Sequence, residues 1–189
     1  TLAGLTIRNG RALSGAGINA GSGSNLTLED VVVSGNTATG DGGGITGGYV
    51  LTLRDVTVKD NLAGGDGGGI FGGWYVFSEG GVVVADNAAG GNGGGLYADV
   101  QTRVSLPGMR LGGNFATLGG GLYLRFAQDS LLGLIADGNS ATDGAGGYVH
   151  SGVLALSNVR LDDNIASGQG GGLFVGSAVE VTAGNLAMR

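Results

Sequence analysis

Residues 50–71 read VLTLRDVTVKDNLAGGDGGGIF, and this stretch decides the fold. Apolar and polar residues alternate in Leu51-Thr52-Leu53 and again in Val56-Thr57-Val58, as in short β-strands with one buried face. A polar pair separates these two strands, and the turn motif Asn61-Leu62-Ala63 follows the second. A glycine block, Gly67-Gly68-Gly69-Ile70, then predicts the start of a third strand. Three short strands and three bends leave no room for a helix.

The same unit recurs along the chain. A coil of this length cannot bury its own apolar side chains, whereas stacked coils bury a continuous column. The repeat therefore predicts an all-β, right-handed parallel β-helix (β-solenoid) of about seven coils of 25–27 residues, with three short strands per coil. The Asn-x-Ala motif that marks the period begins at residues spaced 25, 26, 27, 25 and 25 apart, namely Asn36, Asn61, Asn87, Asn114, Asn139 and Asn164.

The composition agrees with a repeat protein and excludes several other classes. The chain has 45 glycines without a Gly-X-Y period, and 42% of its residues are hydrophobic, which argues against both collagen and disorder. A net charge of −6 with no basic cluster argues against nucleic-acid partners. No apolar run approaches the ~18 residues of a transmembrane helix, so we expect no direct membrane insertion. Without cysteine, disulfides and thiolate metal sites are impossible.

The two motifs at this period resemble those of bacterial right-handed β-helix repeat proteins. The chlamydial polymorphic outer-membrane proteins, whose passengers carry Gly-Gly-Ala-Ile and Phe-x-x-Asn motifs, are similar in pattern. Here Val33-Ser34-Gly35-Asn36 and Val58-Lys59-Asp60-Asn61 match the second motif with valine in place of phenylalanine, and Gly69-Ile70 matches the end of the first. The resemblance covers nearly the whole chain and implies the β-helix. This architecture serves adhesins, autotransporter passengers, filaments and polysaccharide-degrading enzymes alike, so the resemblance implies no single function.

Most of the conspicuous residues are predicted to be structural. We expect each asparagine amide of the repeat to bond the amide of the next coil and to cap the turn backbone. The glycines allow positive φ and close approach between coils. Asp41, Asp66 and Asp143 occur at the glycine blocks, and stacked carboxylates there could hold Ca²⁺. Because Asn92 and Leu118 interrupt this column, a solvated loop edge is the favoured interpretation and no cofactor is expected.

Aromatic residues provide the best candidate for ligand or partner binding. Phe71, Tyr97, Tyr123 and Phe174 follow the inward-pointing Ile or Leu of their coils, so alternation predicts an exposed aromatic stripe that binds sugar rings or another protein. Mutual stacking that stabilises the sheet, or an inverted facing that buries the rings, is the equally weighted alternative. The neighbouring segment Trp74-Tyr75-Val76-Phe77 is predicted to cover the core.

An enzyme of this fold would need a constellation of acidic and basic groups. Asp99, Arg103, Arg125 and Asp129 are the available material, and all occupy bends where charge is expected anyway. His150 is the only histidine and cannot build a histidine metal site alone. No catalytic residues are therefore assigned.

These observations favour a non-catalytic structural or adhesive module on the bacterial surface or in the extracellular space. Such a module would extend a rigid rod and present a lateral face to glycans or surface proteins; a carbohydrate-active enzyme or glycan-binding module is the alternative. Residues 1–189 form a single solenoid that begins and ends within a coil. We therefore expect its ends to contact flanking coils of a longer chain, or identical subunits stacked end to end.

Overall fold

The computed structural model describes residues 1–99 and 102–189, and it confirms the predicted parallel β-solenoid. All strand pairs in the described residues are parallel, and the chain makes about seven turns. The strands pair with the equivalent strands of neighbouring coils, about 25 residues away, and most of them pair on both sides. Within these residues there is no helix of the length and apolarity that crossing a bilayer requires.

The strands form four sheets that run along the rod, here named A to D in the order in which one coil visits them. Sheet A contains Leu2–Ala3, Asn25–Glu29, Val50–Arg54, Tyr75–Glu79 and Arg103–Ser105. Sheet B contains Thr6–Arg8, Val32–Ser34, Thr57–Lys59, Val83–Ala85, Arg110–Gly112, Ile135–Asp137, Arg160–Asp162 and Ala187–Met188. Sheet C contains Arg11–Ala12, Thr37–Ala38, Leu62–Ala63, Ala88–Ala89, Phe115–Leu118, Ser140–Asp143 and Ile165–Ala166.

Sheet D begins with the short strands Ile18–Asn19, Ile45–Thr46, Ile70–Phe71, Leu96–Ala98 and Leu122–Leu124. In the last two coils the bend between sheets D and A straightens, and the continuous strands Gly147–Ser157 and Leu173–Gly184 span both positions. Ala127–Leu132 pairs with the second half of the first of these long strands. The D-to-A corner is therefore sharp in the early coils and open at the far end.

The coils with a sharp D-to-A corner carry four strands where the sequence predicts three. The additional strands are those of sheet C, most of which have only two residues. They form because main-chain bonds continue past the asparagine turn, for example from Leu62 N–H to the Asn36 carbonyl. Two residues are too short to show a period of two, so the hydrophobic pattern gives no signal for them.

Left-handed residues make the two bends that flank sheet B. Asp55 has φ of 50° in the bend before that sheet, and Asp60 has φ of 56° in the bend after it. The second position lies one residue before the asparagine of the repeat. Asn9 occupies this left-handed position with φ of 60°, and Gly10 takes the place of the repeat asparagine in the first coil. Asparagine and aspartate tolerate this conformation better than other side chains.

The core is a set of apolar columns, one residue per coil. Ile45, Ile70 and Leu96 stack in register, and each is fully buried. The register then places Gly147 beside Leu122, so that Tyr148 does not take the inward position that its place after a glycine block suggests. A small apolar cavity remains beside Gly147, lined by Leu122, Leu154 and Leu173 among others.

Candidate functional site

The repeat asparagines form a continuous buried stack. In each of the first five, the side-chain Nδ2 donates to the Oδ1 of the next asparagine at 2.9–3.0 Å, and the main-chain N–H donates to the same oxygen at 3.0 Å. The other hydrogen of the Nδ2 group is donated to a strand carbonyl oxygen; in Asn87 this acceptor is Val58 O. Every polar atom of Asn87 is thus used. The stack explains the period, and it uses the buried amides of Asn61, Asn87, Asn114 and Asn139 within the protein.

The glycine blocks pack directly against the asparagine stack. A Cβ built on Gly69 would lie 2.9 Å from the Asn87 Nδ2 and 2.7 Å from the Gly95 carbonyl oxygen. A Cβ on the preceding glycine, Gly68, would meet main-chain atoms of the next coil. The two sequence markers therefore share one period because each requires the other: the amide stack fits only where the facing backbone carries no side chain.

The aromatic residues form a stack of five rings rather than an exposed stripe. Successive ring centroids lie 5.1, 5.1, 5.2 and 4.5 Å apart, with interplanar angles of 13° or less. Strand register also brings Tyr148 into this stack, although its place directly after a glycine block suggests an inward position. The members in order are Phe71, Tyr97, Tyr123, Tyr148 and Phe174.

The exposure of these rings differs from that of the expected exposed stripe. Tyr97 is 4% exposed and Tyr123 is 6% exposed, because the rings of the coils on either side cover both of their faces. Phe71 and Phe174, at the ends of the stack, are half-buried. The alternative of mutual stacking therefore describes Tyr97 and Tyr123, whereas Tyr148 is half-buried like the two end members.

Charged groups surround the hydroxyl of Tyr97. Arg125 lies beside this hydroxyl and donates from Nη1 to Asp99 Oδ1 at 3.2 Å. Burial, followed by the negative charges of Asp99 and Asp66, raises the pKa of Tyr97 to about 12. The pKa of Asp66 is also raised, chiefly by burial and in smaller part by the charges of Asp41 and Asp99.

The raised pKa of Tyr97 predicts an alkaline loss of stability. A tyrosine in the unfolded chain has a pKa of about 10, so the unfolded state loses its proton first as the pH rises. The neutral Tyr97 side chain therefore makes its full contribution to the free energy of unfolding below pH ~10, and this contribution falls as the pH approaches about 12. We expect Tyr97→Phe to reduce this fall in denaturant unfolding measured across that range, whereas the exposed control Tyr49→Phe should retain it. An unchanged pH dependence in Tyr97→Phe would contradict the assignment.

The aspartates at the glycine blocks cap the main chain of the following coil. Asp41 Oδ1 accepts from Asp66 N–H at 2.8 Å, and Asp143 Oδ1 accepts from Gln169 N–H at 2.6 Å. Asp143 lies three coils beyond Asp66 in this column, or about 14 Å at the usual strand spacing. The three candidate calcium ligands therefore cannot share one ion. In the described part of the chain, no three His, Cys, Asp or Glu side chains are placed to hold a metal ion.

The sharp corner between sheets D and A contains a cleft of about 210 Å³. Aromatic rings, one carboxylate and two hydroxyl-bearing residues line it above a floor of glycines. The floor carries no side chains because the coils touch there; a Cβ on Gly73 would collide with the main chain of Gly48. The lining residues are Ser22, Gly47, Gly48, Phe71, Gly72, Gly73, Trp74, Asp99 and Thr102. Sequence reasoning missed this cleft, although the Gly-Gly pairs at 47–48 and 72–73, outside the main glycine blocks, were a signal.

Trp74 is the most exposed aromatic ring of this corner, and it does not cover the core as predicted. Its side chain is 45% exposed, and only Val76 of the same segment points fully inward. The centroids of the Trp74 and Tyr49 rings lie 6.0 Å apart, and those of the Tyr49 and Tyr75 rings lie 5.5 Å apart in an edge-to-face arrangement. These neighbours hold the indole in place at the rim of the cleft.

The residues considered for catalysis do not form one cluster in the described part of the chain; they lie at different places and have different partners. Asp99 pairs with Arg125 beside the cleft, whereas Arg103 donates to Gln128 Oε1 at 2.8 Å. The side chain of Asp129 lies outside the described part of the structure. His150 is exposed on the strand that spans sheets D and A. Only Asp99 of this group lines the cleft.

Sheet C presents a second surface, which is apolar. Leu62, Phe115 and Ile165 point outward from it and are 48%, 56% and 70% exposed. Shallow grooves with alanine and glycine floors run along the rod between these side chains. This surface is separate from the aromatic corner, which makes it a useful control for binding experiments.

One comparison with known proteins gives a match. The model of the Chlamydia polymorphic membrane protein repeat matches residues 30–48, which contain the sheet B strand, the first asparagine turn and the following glycine block. No curated protein and no solved structure matches the chain significantly. Together with the solenoid, the match shows a β-helix repeat protein similar to the polymorphic membrane proteins. It suggests a surface-exposed bacterial outer-membrane protein.

Proposed function

We propose that this solenoid is a non-catalytic adhesive module that forms a rigid rod at the bacterial surface and presents the aromatic corner as its contact face. The observation that carries the proposal is the position of Trp74, which is half-exposed and packs against Tyr49. Trp74 lies at the rim of the cleft in the corner between sheets D and A. Large exposed aromatic side chains are characteristic of recognition surfaces.

The rigidity of the rod is supported by the stacks inside it. The asparagine stack and the aromatic stack link successive coils through hydrogen bonds and ring contacts, in addition to the main-chain bonds of four parallel sheets. Lateral residues such as Trp74 are therefore presented on a fixed scaffold, which lowers the entropy lost on binding.

Binding of the labelled chain to intact bacterial and animal cells tests the proposal. We expect saturable binding by flow cytometry, and a reduction of about tenfold in Trp74→Ser, as is typical for the loss of a central aromatic contact. Phe115→Ser is the matched control, because it removes an equally exposed ring from sheet C. Circular dichroism would establish that both variants fold. Absence of cell binding, or equal loss in both variants, would contradict the proposed contact face.

The rival function is a carbohydrate-active enzyme, which the presence of Asp99 in the cleft favours. The ion pair between Asp99 and Arg125 supports our proposal instead, because it holds the carboxylate in a fixed, charge-compensated state. A screen of acidic and neutral polysaccharides with Ca²⁺ distinguishes the two. Turnover that is lost in Asp99→Asn would establish the enzyme.

A further inference from the structure

The cleft at the aromatic corner combines aromatic rings, a carboxylate and hydroxyl groups. The rings of Phe71 and Trp74 provide apolar walls, and the carboxylate of Asp99 provides a strong hydrogen-bond acceptor. Thr102 Oγ1 accepts a hydrogen bond from the Asp99 main-chain N–H at 3.0 Å. Ser22 adds a hydroxyl from the preceding coil. The cleft is thus a partly polar site with ordered walls.

We infer that this cleft binds a neutral hexopyranose unit of a glycan, with the sugar face on the Trp74 ring and its hydroxyls on Asp99. The inference rests on the proposed adhesive function and names the ligand of its contact face. A pyranose has an apolar face of C–H groups and a rim of hydroxyl donors, which are the complements of an aromatic ring and a carboxylate.

Charge and size exclude the other ligand classes. The residues that line the cleft include a carboxylate and no basic side chain, and the chain has a net charge of −6, which disfavours phosphate, sulfate and uronate groups. A lipid chain would leave the Asp99 carboxylate desolvated without a partner from the ligand. The volume of about 210 Å³ is below the ~300–1,000 Å³ of clefts that enclose drug-sized molecules, which favours one sugar ring of a longer glycan.

The geometry of the cleft depends on contacts that are already fixed in the protein. Arg125 donates to Asp99 Oδ1 at 3.2 Å and orients the carboxylate, while Tyr49 supports the indole of Trp74. The glycine floor holds the two neighbouring coils at contact distance. A ligand therefore meets a preformed site, and its binding needs little reorganisation.

Trp74 is the only tryptophan of the chain, so its fluorescence reports on the cleft directly. We would titrate the 189-residue chain with lactose, mannobiose, cellobiose and N,N′-diacetylchitobiose, and with digalacturonate as the acidic counterpart. At least one neutral disaccharide should change the emission saturably, and digalacturonate should bind about tenfold more weakly or not at all. Asp99→Asn should weaken binding of the active disaccharide about tenfold, whereas Phe115→Ser should leave it unchanged. Calorimetry would show the loss of binding in Trp74→Ala, which lacks the fluorophore.

The cell experiment separates this inference from the proposed function. Periodate cleaves the vicinal diols of cell-surface glycans, so treated cells should lose the part of the binding that depends on Trp74. Binding that depends on Trp74 but survives periodate would overturn the glycan ligand and indicate a protein partner, while the adhesive function would stand. A failure of all four neutral disaccharides together with unchanged binding after periodate would overturn the inference.

Discussion

Asn87→Ala is expected to lower the free energy of unfolding by about 4 kcal/mol. The substitution removes the acceptor of both the Asn61 main-chain N–H and the Asn61 side-chain amide, and it removes the donor to the Val58 carbonyl and to Asn114 Oδ1. Asn87 is 1% exposed, so water does not replace these partners in the folded state. A buried polar group without a partner costs about 1–3 kcal/mol, and at least two such groups result.

Denaturant unfolding followed by circular dichroism measures this change. Asn19→Ala is the control, because that side chain is exposed and makes a single long hydrogen bond to Ser14 O at 3.3 Å. We expect its effect to stay within about 0.5 kcal/mol. Asn87→Asp separates the contribution of the accepted hydrogen bonds from that of the donated ones, because it keeps the acceptor oxygen and removes the two Nδ2 donors. A loss of less than about 1 kcal/mol in Asn87→Ala would show that the amide stack contributes little to stability.

Gly94→Ala should destabilise the solenoid by about 3 kcal/mol or prevent folding. The new Cβ would lie within 3.0 Å of the carbonyl groups of Phe115 and Gly120, which are main-chain atoms of the next coil and cannot rotate away. Separating the coils to accommodate the methyl group would lengthen the main-chain bonds from Gly94 N–H and Gly95 N–H. Overpacking against a fixed backbone commonly costs about 1–3 kcal/mol and sometimes more.

Gly23→Ala is the matched control for this prediction. No atom lies within 4 Å of a Cβ at Gly23, and its φ is not positive. The control should be neutral or should stabilise by up to about 1 kcal/mol, because alanine restricts the unfolded chain. Thermal unfolding of both variants, with sedimentation to detect aggregated material, provides the measurement. If the two variants unfold alike, close packing between the coils is not the reason for the glycine block.

Much of the internal architecture can be read from the repeat alone. The spacing of Asn61, Asn87 and Asn114 predicts the coil, the stacking of the amides and the parallel sheets, and the structure shows amides that are hydrogen-bonded from coil to coil. This is possible because one coil has the same environment as the next, so a pattern repeated in sequence is repeated in space. The contact between Gly69 and the asparagine stack was not predicted, although it explains why both motifs recur together.

The candidate site was harder to predict because it depends on the strand register between coils and on the shape of the corner between sheets D and A. The pattern of a glycine block followed by one large residue suggests that Tyr148 points inward, but the main-chain bonds to the neighbouring coils place Gly147 there and Tyr148 in the aromatic stack. Alternation correctly separates inward from outward positions, yet it does not indicate whether an outward ring is covered by the next coil, as Tyr97 is.

The sequence by itself thus determined the period, the parallel β-solenoid and the residues that stack inside it, because these follow from hydrophobic alternation and from turn chemistry within each coil. Only the tertiary structure decided which aromatic side chains are accessible and that Phe71, Trp74 and Asp99 line one cleft. These residues belong to two coils and to a corner whose sharpness varies along the rod. Their proximity is set by packing between coils, which no motif within a single coil encodes.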